Sequence, residues 1–247
     1  MQQEDKITIV HCVNSYPFIL AFTSILVSFT IQSLLGDLYG KEPNTSVSCI
    51  LPAYLFPVLC GTMYWGFVNQ ALFRLCRIVH VNARWLRNLW LYILLPPIEL
   101  VLVGVVFVPL IFWRDIVYLP SEHYCYVSYT NIRGILWVIL NAYGSPVLLL
   151  SMIYLRIAIY IHRQSNNLTM VVKLRQERDL RIVRRIVVIV CLLLLLGMPA
   201  VVIVMLFVIT GQEQPLFFRV EWFSVSLSMI GLSISLVFFT PQLKKMF

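Results

Sequence analysis

CILPAYLFPVLCGTMYWGFVNQALFRLCR, residues 49–77, is the stretch on which the fold turns. It closes on Arg74 and Arg77, yet no charged side chain interrupts the chain from Pro43 to Phe73, a run of 31 residues. An α-helix needs about 20 apolar residues to cross a bilayer, so this run reads as a membrane-spanning helix. At about 1.5 Å per residue, the steps from Cys49 to Arg74 cover about 37 Å. The thiol therefore lies near one membrane face and the guanidinium near the other.

The rest of the chain repeats the pattern. Of 247 residues, 60% are hydrophobic and 12% charged, about half the charged share of a soluble domain. Cutting at the charges leaves windows at Ile7 to Gly36, Pro43 to Phe73, Asn88 to Trp113, Gly134 to Leu155, Ile186 to Gln212 and Trp222 to Leu243, with only Glu99 breaking the third. Each is long enough for one span. The expected fold is an all-α integral membrane bundle of six spans, about 8–35, 48–76, 88–113, 133–160, 182–210 and 218–240, in a single domain covering 1–247.

Charge sets the expected orientation. Fifteen of the 19 basic residues fall on one side of such a bundle, leaving Lys41, Arg114, Arg133 and Arg219 on the other. The positive-inside rule makes the richer side cytoplasmic, and an even number of spans puts both termini there. The net charge of +8 is thus a topology signal, with attraction to anionic lipid as an extra and no case for nucleic acid. Asn44-Thr45-Ser46 is an N-glycosylation pattern on the outer side, which makes Asn44 a test of topology.

Two features follow from depth. Cys12, Cys60, Cys76 and Cys191 fall within spans or at a cytoplasmic end, leaving Cys49 and Cys125 for the oxidising side. A bridge between them would tie the loop after Trp113 across the bundle mouth. Glu99 sits mid-membrane beside Pro96-Pro97. An acid there is a functional-site candidate. The plainer reading is a neutral acid bonded to a carbonyl that the prolines free. Gly144-Ser145-Pro146 and Gly197-Met198-Pro199 mark bends in the fourth and fifth windows, on either side of the long basic segment His162 to Arg185. The polar groups of the first window, among them Asn14 and Ser15, suit contact with other helices.

Cys49, Arg74 twenty-five positions on, Cys125 in the next outer loop, Pro146 with Tyr154 eight residues later, and Pro199 with Asp179 twenty positions before it resemble the rhodopsin-like G-protein-coupled receptor family. The resemblance covers the third to sixth helices of that family best. It makes the first window the second of seven helices, leaving the family's first helix without a counterpart. It implies that Arg74 holds the resting face by pairing with Asp179 and meets Tyr154 when the sixth helix swings out and a heterotrimeric G protein enters. Pro146 and Pro199 are the bends of that switch.

The chain departs from the family in its internal parts. Gly197 stands where a tryptophan precedes the bend proline, and Leu232-Ser233-Ile234-Ser235-Leu236 replaces the asparagine-proline-x-x-tyrosine motif. Phe22 and Phe56 fall where a sodium-binding aspartate and an amine counter-ion are expected. The resemblance then implies an outer ligand that is apolar or a peptide rather than an amine, and a plasma-membrane location. A small transporter or channel subunit, and a receptor fragment that does not signal, are the alternatives; Glu99 and the broken helices fit the transporter. His11, His80, His123 and His162 are dispersed and no metal or catalytic motif occurs, so neither an enzyme nor a cofactor is expected.

Overall fold

The computed structural model describes residues 3–40, 46–79, 89–164, 191, 194, 197–199, 201–211 and 216–239. It is mostly helical. The helices are α1 (Gln3–Tyr39), α2 (Val47–Val79), α3 (Leu89–Phe112), α4 (Ile132–Val138), α5 (Ser145–Gln164), α6 (201–210) and α7 (Leu216–Phe239). Two short strands, β1 (Ile116–Leu119) and β2 (Tyr124–Val127), lie between α3 and α4.

Five helical stretches are long and apolar enough to cross a bilayer: Val13–Tyr39, Val47–Cys76, Trp90–Phe112, Ile132–Tyr160 and Leu216–Ile234. They coincide with five of the six expected windows, while in the remaining one, Ile186 to Gln212, the described residues form a shorter apolar helix, Gly197–Thr210. Lipid offers no hydrogen bonds, so an apolar run satisfies its own backbone as a helix, even with Pro17, Pro52, Pro57, Pro96, Pro97 and Pro109 inside. Outward-facing Leu20, Val27, Ile31, Leu34 and Leu38 form the apolar stripe of α1, at spacings that keep one face of a helix.

α2 is the axis of the packing, in contact with α1, α3 and α5 and with both strands. Small residues let its neighbours approach. Ala53 and Ala71 are fully buried, and a Cβ at Gly61 would stand 3.0 Å from the Val103 side chain. Helices in lipid are held by such close van der Waals contact rather than by water exclusion.

The fourth window is interrupted as expected, by a specific device. Residues Ile139–Gly144 form a π-helical turn between α4 and α5, and the Ser145 N–H donates to Leu140 O. The wider turn sits immediately before Pro146, which cannot donate a backbone bond of its own.

The loop after Trp113 was expected only as a cross-linked lid, and it has regular structure of its own. β1 and β2 pair antiparallel in the register Ile116↔Val127, Val117↔Tyr126, Tyr118↔Cys125 and Leu119↔Tyr124. Between the strands, the N–H groups of Glu122 and His123 both donate to Leu119 O, closing the turn. Tyr124, Cys125, Tyr126 and Val127 are all buried.

Candidate functional site

The hairpin is fastened at three points. Cys125 is bonded to Cys49 at the start of α2, with the Cα atoms 5.4 Å apart, while Cys60, Cys76 and Cys191 are free thiols. The bridge and these three thiols are as expected, and the Cys12 side chain lies outside the described residues. At the second point Asp115, 1% exposed, accepts from Asn131 Nδ2 and Arg133 Nη2, both at 2.7 Å on Oδ1. Arg133 also lies 4.7 Å over the Trp113 ring. A buried acid held by two donors, one of them a cation, links the loop before β1 to the first turn of α4.

The third point is an aromatic cluster. Phe22 and Phe29 of α1, Phe56 of α2, Tyr124 and Tyr126 of β2, and Trp222 of α7 meet at centroid distances of 4.4–6.3 Å. Trp222 Nε1 donates to Tyr124 Oη at 2.5 Å, and the Tyr129 hydroxyl donates to Glu221. Burial pushes the Tyr124, Tyr126 and Tyr129 phenols well above the ordinary tyrosine range, so they stay neutral. Phe22 and Phe56 face each other here with rings 4.4 Å apart.

Beside this cluster a cavity of about 320 Å³ opens between α1, the hairpin turn and α7. Its volume is at the lower end of small-ligand sites. Phe29, Tyr124 and Trp222 supply apolar wall, and Asp37, Glu122 and Arg219 supply charge. Arg219 Nη2 donates to Asp37 Oδ1 at 3.1 Å and Oδ2 at 2.9 Å, and its Nε lies 3.5 Å from Glu122 Oε2. Ser33 Oγ donates to the same Glu122 oxygen at 3.4 Å. Burial raises the Glu122 carboxyl above the usual range, and the Arg219 guanidinium opposes that rise. The hairpin turn can press this close because α1 carries Gly36: any Cβ there would collide with the His123 ring. His123 itself takes a left-handed backbone, φ 62°.

At the other end of α2, Arg74 lies near the buried Tyr154 of α5, whose hydroxyl makes no hydrogen bond to a described residue. Those two of the expected switch residues are brought together. Pro146 directly follows the π turn, and Pro199 lies in a helical turn with Gly197 and Met198. Gly197 has a clear packing role: a Cβ there would collide with the ring of Tyr143, whose hydroxyl donates to Leu194 O at 3.1 Å. Tyr143 thus fills the space beside the bend proline from the π turn. Asp179 and Asn44 lie outside the described residues.

Glu99 corrects an expectation. Its carboxyl makes no hydrogen bond or ion pair with any described residue, so no freed carbonyl holds it. Instead it lines a small cavity between α1, α2 and α3.

Sequence reasoning passed over Asp37, Glu122 and Arg219. For the hairpin a signal existed: two runs of β-branched and aromatic residues, Ile116-Val117-Tyr118-Leu119 and Tyr124-Cys125-Tyr126-Val127, flank Pro120-Ser121-Glu122-His123. For the pairing of Asp37 with Arg219, 182 residues apart, no local signal exists. Comparison with protein-family models and with curated proteins finds no match to this chain.

Proposed function

We propose that this chain is a ligand-activated transmembrane receptor of the rhodopsin-like kind, with its disulfide end facing out of the cell and its Arg74 end engaging a heterotrimeric G protein. The nearness of Arg74 to Tyr154 carries the reading, because it brings together the two helices that such a switch must couple. The bridge from Cys49 to Cys125 supports it by holding a folded lid over the opposite end of the same helix. The cavity beside Trp222 is the ligand site. Its aromatic wall suits an apolar group, and its charged rim suits the polar end of a peptide.

A ligand there acts on α1, α7 and the hairpin together. Displacing Asp37 from Arg219 frees α7 to move relative to α1, and the rigid α2 carries the change to Arg74. The test is guanine-nucleotide exchange on G proteins reconstituted with the purified chain in nanodiscs, screened against peptide and lipid ligands. Ligand-dependent exchange that vanishes in Arg74→Ala supports the receptor. Exchange unchanged by Arg74→Ala sinks it. Glycan attached at Asn44 in a mature cell-surface sample would support the orientation, and a bare Asn44 with a glycosylated inner loop would reverse it.

A small transporter is the second reading, favoured by the buried Glu99 carboxyl beside a small cavity that Asn14, Thr62 and Gln70 also line. Ion flux through liposomes containing the chain alone would support it over the receptor.

A further inference from the structure

The cavity beside Trp222 has a direction. α1 lines it with Thr30, Leu34 and Asp37, and α7 with Arg219, Phe223 and Ser226. Both sets have the spacing i, i+4, i+7, which keeps to one face of a helix, so the cavity follows two stripes for about 10 Å. Its charges stand at one end, because Asp37 lies in the last turn of α1 and Arg219 in the first turn of α7. Toward the other end Phe29 and Trp222 supply rings. The hydroxyl protons of Thr30 and Ser226 are committed there to Val27 O and Trp222 O of their own helices, both at 2.8 Å. Such a space accepts a polar head beside the hairpin and an apolar body along the helices.

The charges decide the sign of the head. Two acids, Asp37 and Glu122, share the one guanidinium of Arg219. Arg219 Nη2 holds both oxygens of Asp37, whereas its Nε reaches Glu122 Oε2 only at 3.5 Å. Glu122 Oε1 accepts from no described residue, although the side chain is 1% exposed. A buried acceptor in that condition costs free energy until a donor meets it. His123 does not supply one: its Nε2 lies 3.8 Å from Asp37 Oδ1, so a proton on that ring would favour Asp37 and leave Glu122 Oε1 as it is. The cluster is short of one positive donor, on the residue that the hairpin turn brings to the cavity wall.

We propose that the cavity binds an amphiphilic ammonium, whose N–H groups donate to Glu122 Oε1 while its apolar body lies along Phe29, Trp222 and Phe223. The inference rests on the cavity being the ligand site and names the class of ligand; it needs no G protein. An ammonium departs from the expectation of an apolar or peptide ligand, which drew on α1 and α2 without the hairpin. The aromatic rings add to the attraction, since a cation is favoured over a ring face. A cation on Glu122 also competes with Arg219 Nε, loosening the tie between α7 and the hairpin.

The test is equilibrium binding of tritiated phenylbutylammonium to the purified full chain in nanodiscs, without G protein, against phenylbutanol and phenylpentanoate as neutral and anionic competitors of similar length. Saturable binding of the ammonium, about tenfold or more tighter than that of the alcohol or the acid, is expected. Glu122→Gln keeps the shape and removes the charge, so the ammonium should fall to the affinity of the alcohol while the alcohol binds as before. Ser226→Phe fills the inner end of the cavity, and since its hydroxyl bonds only its own helix it should fold while weakening the ammonium by about tenfold or more. Sphingosine carried in the nanodisc lipid distinguishes two sources of the same head: stronger competition by sphingosine than by unlabelled phenylbutylammonium assigns the site to a membrane amine, and the reverse to a water-soluble one. Absence of saturable binding overturns the proposal, as do equal affinities for ammonium, alcohol and acid, or full ammonium affinity in Glu122→Gln. Tightest binding by the acid makes Arg219 the partner of the head and overturns it too. Should Glu122→Gln fail to fold, the ranking of the three probes on the unmodified chain and the response of Ser226→Phe decide. Ammonium binding without nucleotide exchange would leave this inference standing and count against G-protein coupling alone.

Discussion

At the Cys49 end of α2 a disulfide, a β-hairpin, a six-ring aromatic cluster and a buried acid held by Asn131 and Arg133 converge. The described contacts at the Arg74 end are of another kind. The first end is built from interactions that fail together, a covalent link backed by packing. Among the described residues the second end shows ring packing, the edge of Phe73 against Tyr92, and a guanidinium near a buried phenol.

The contrast predicts that damage at the two ends has different consequences. On the proposed receptor reading, the largest effect should come from Arg74→Ala, with ligand-driven nucleotide exchange falling to background while surface delivery, read by antibody on intact cells, stays at the level of the unmodified chain. Equal losses of delivery and signalling would make Arg74 a mere anchor and erase the distinction. Cys125→Ser should show the reverse, losing about 2–4 kcal/mol of stability with poor delivery, measured as unfolding midpoint and surface fraction. A midpoint unchanged by that substitution would mean that packing alone secures the hairpin.

Smaller changes sharpen the picture within the anchored end. Arg133→Ala leaves buried Asp115 with only Asn131 as donor, and a hydrogen bond to a charged group is worth about 1.5–3 kcal/mol. Arg133 is itself 57% exposed, so solvent screening should hold the measured loss in thermal stability to the low end of that range. The smallest expected effect is on pH dependence. The Glu122 carboxyl is raised above its ordinary value mainly by burial, so the folded chain binds that proton more tightly than the unfolded one. Stability from this group is therefore present at low pH and declines as pH climbs from the ordinary glutamate range through the folded value. Glu122→Gln should flatten that part of a midpoint-versus-pH curve, and an unaltered slope would assign it to another acid.

Particular residues show how far the chain could be read in advance. Trp113 to Arg133 read as a lid because it lies between two apolar windows and carries a cysteine; its strands were missed because the dominant signal in this sequence is long apolar runs, which mask two four-residue strands. Gly197 read as a lost tryptophan. Only in three dimensions does it become a place cleared for Tyr143, because the compensating ring sits on another helix. Glu99 stood out as an anomaly by its depth, but its lack of a bonded carbonyl depends on how α1 and α2 are rotated against α3.

From composition and order alone came the five helices found at their expected windows and the pairing of the two cysteines. The helices are legible residue by residue, since a segment able to cross a bilayer must be long, apolar and satisfied within its own backbone. The tertiary structure alone decided which groups meet: Asp37 with Arg219, Tyr129 with Glu221, and Glu99 with a small cavity between α1, α2 and α3. Such meetings depend on the rotation and tilt of whole helices, which the packing of many side chains determines collectively and no single segment encodes.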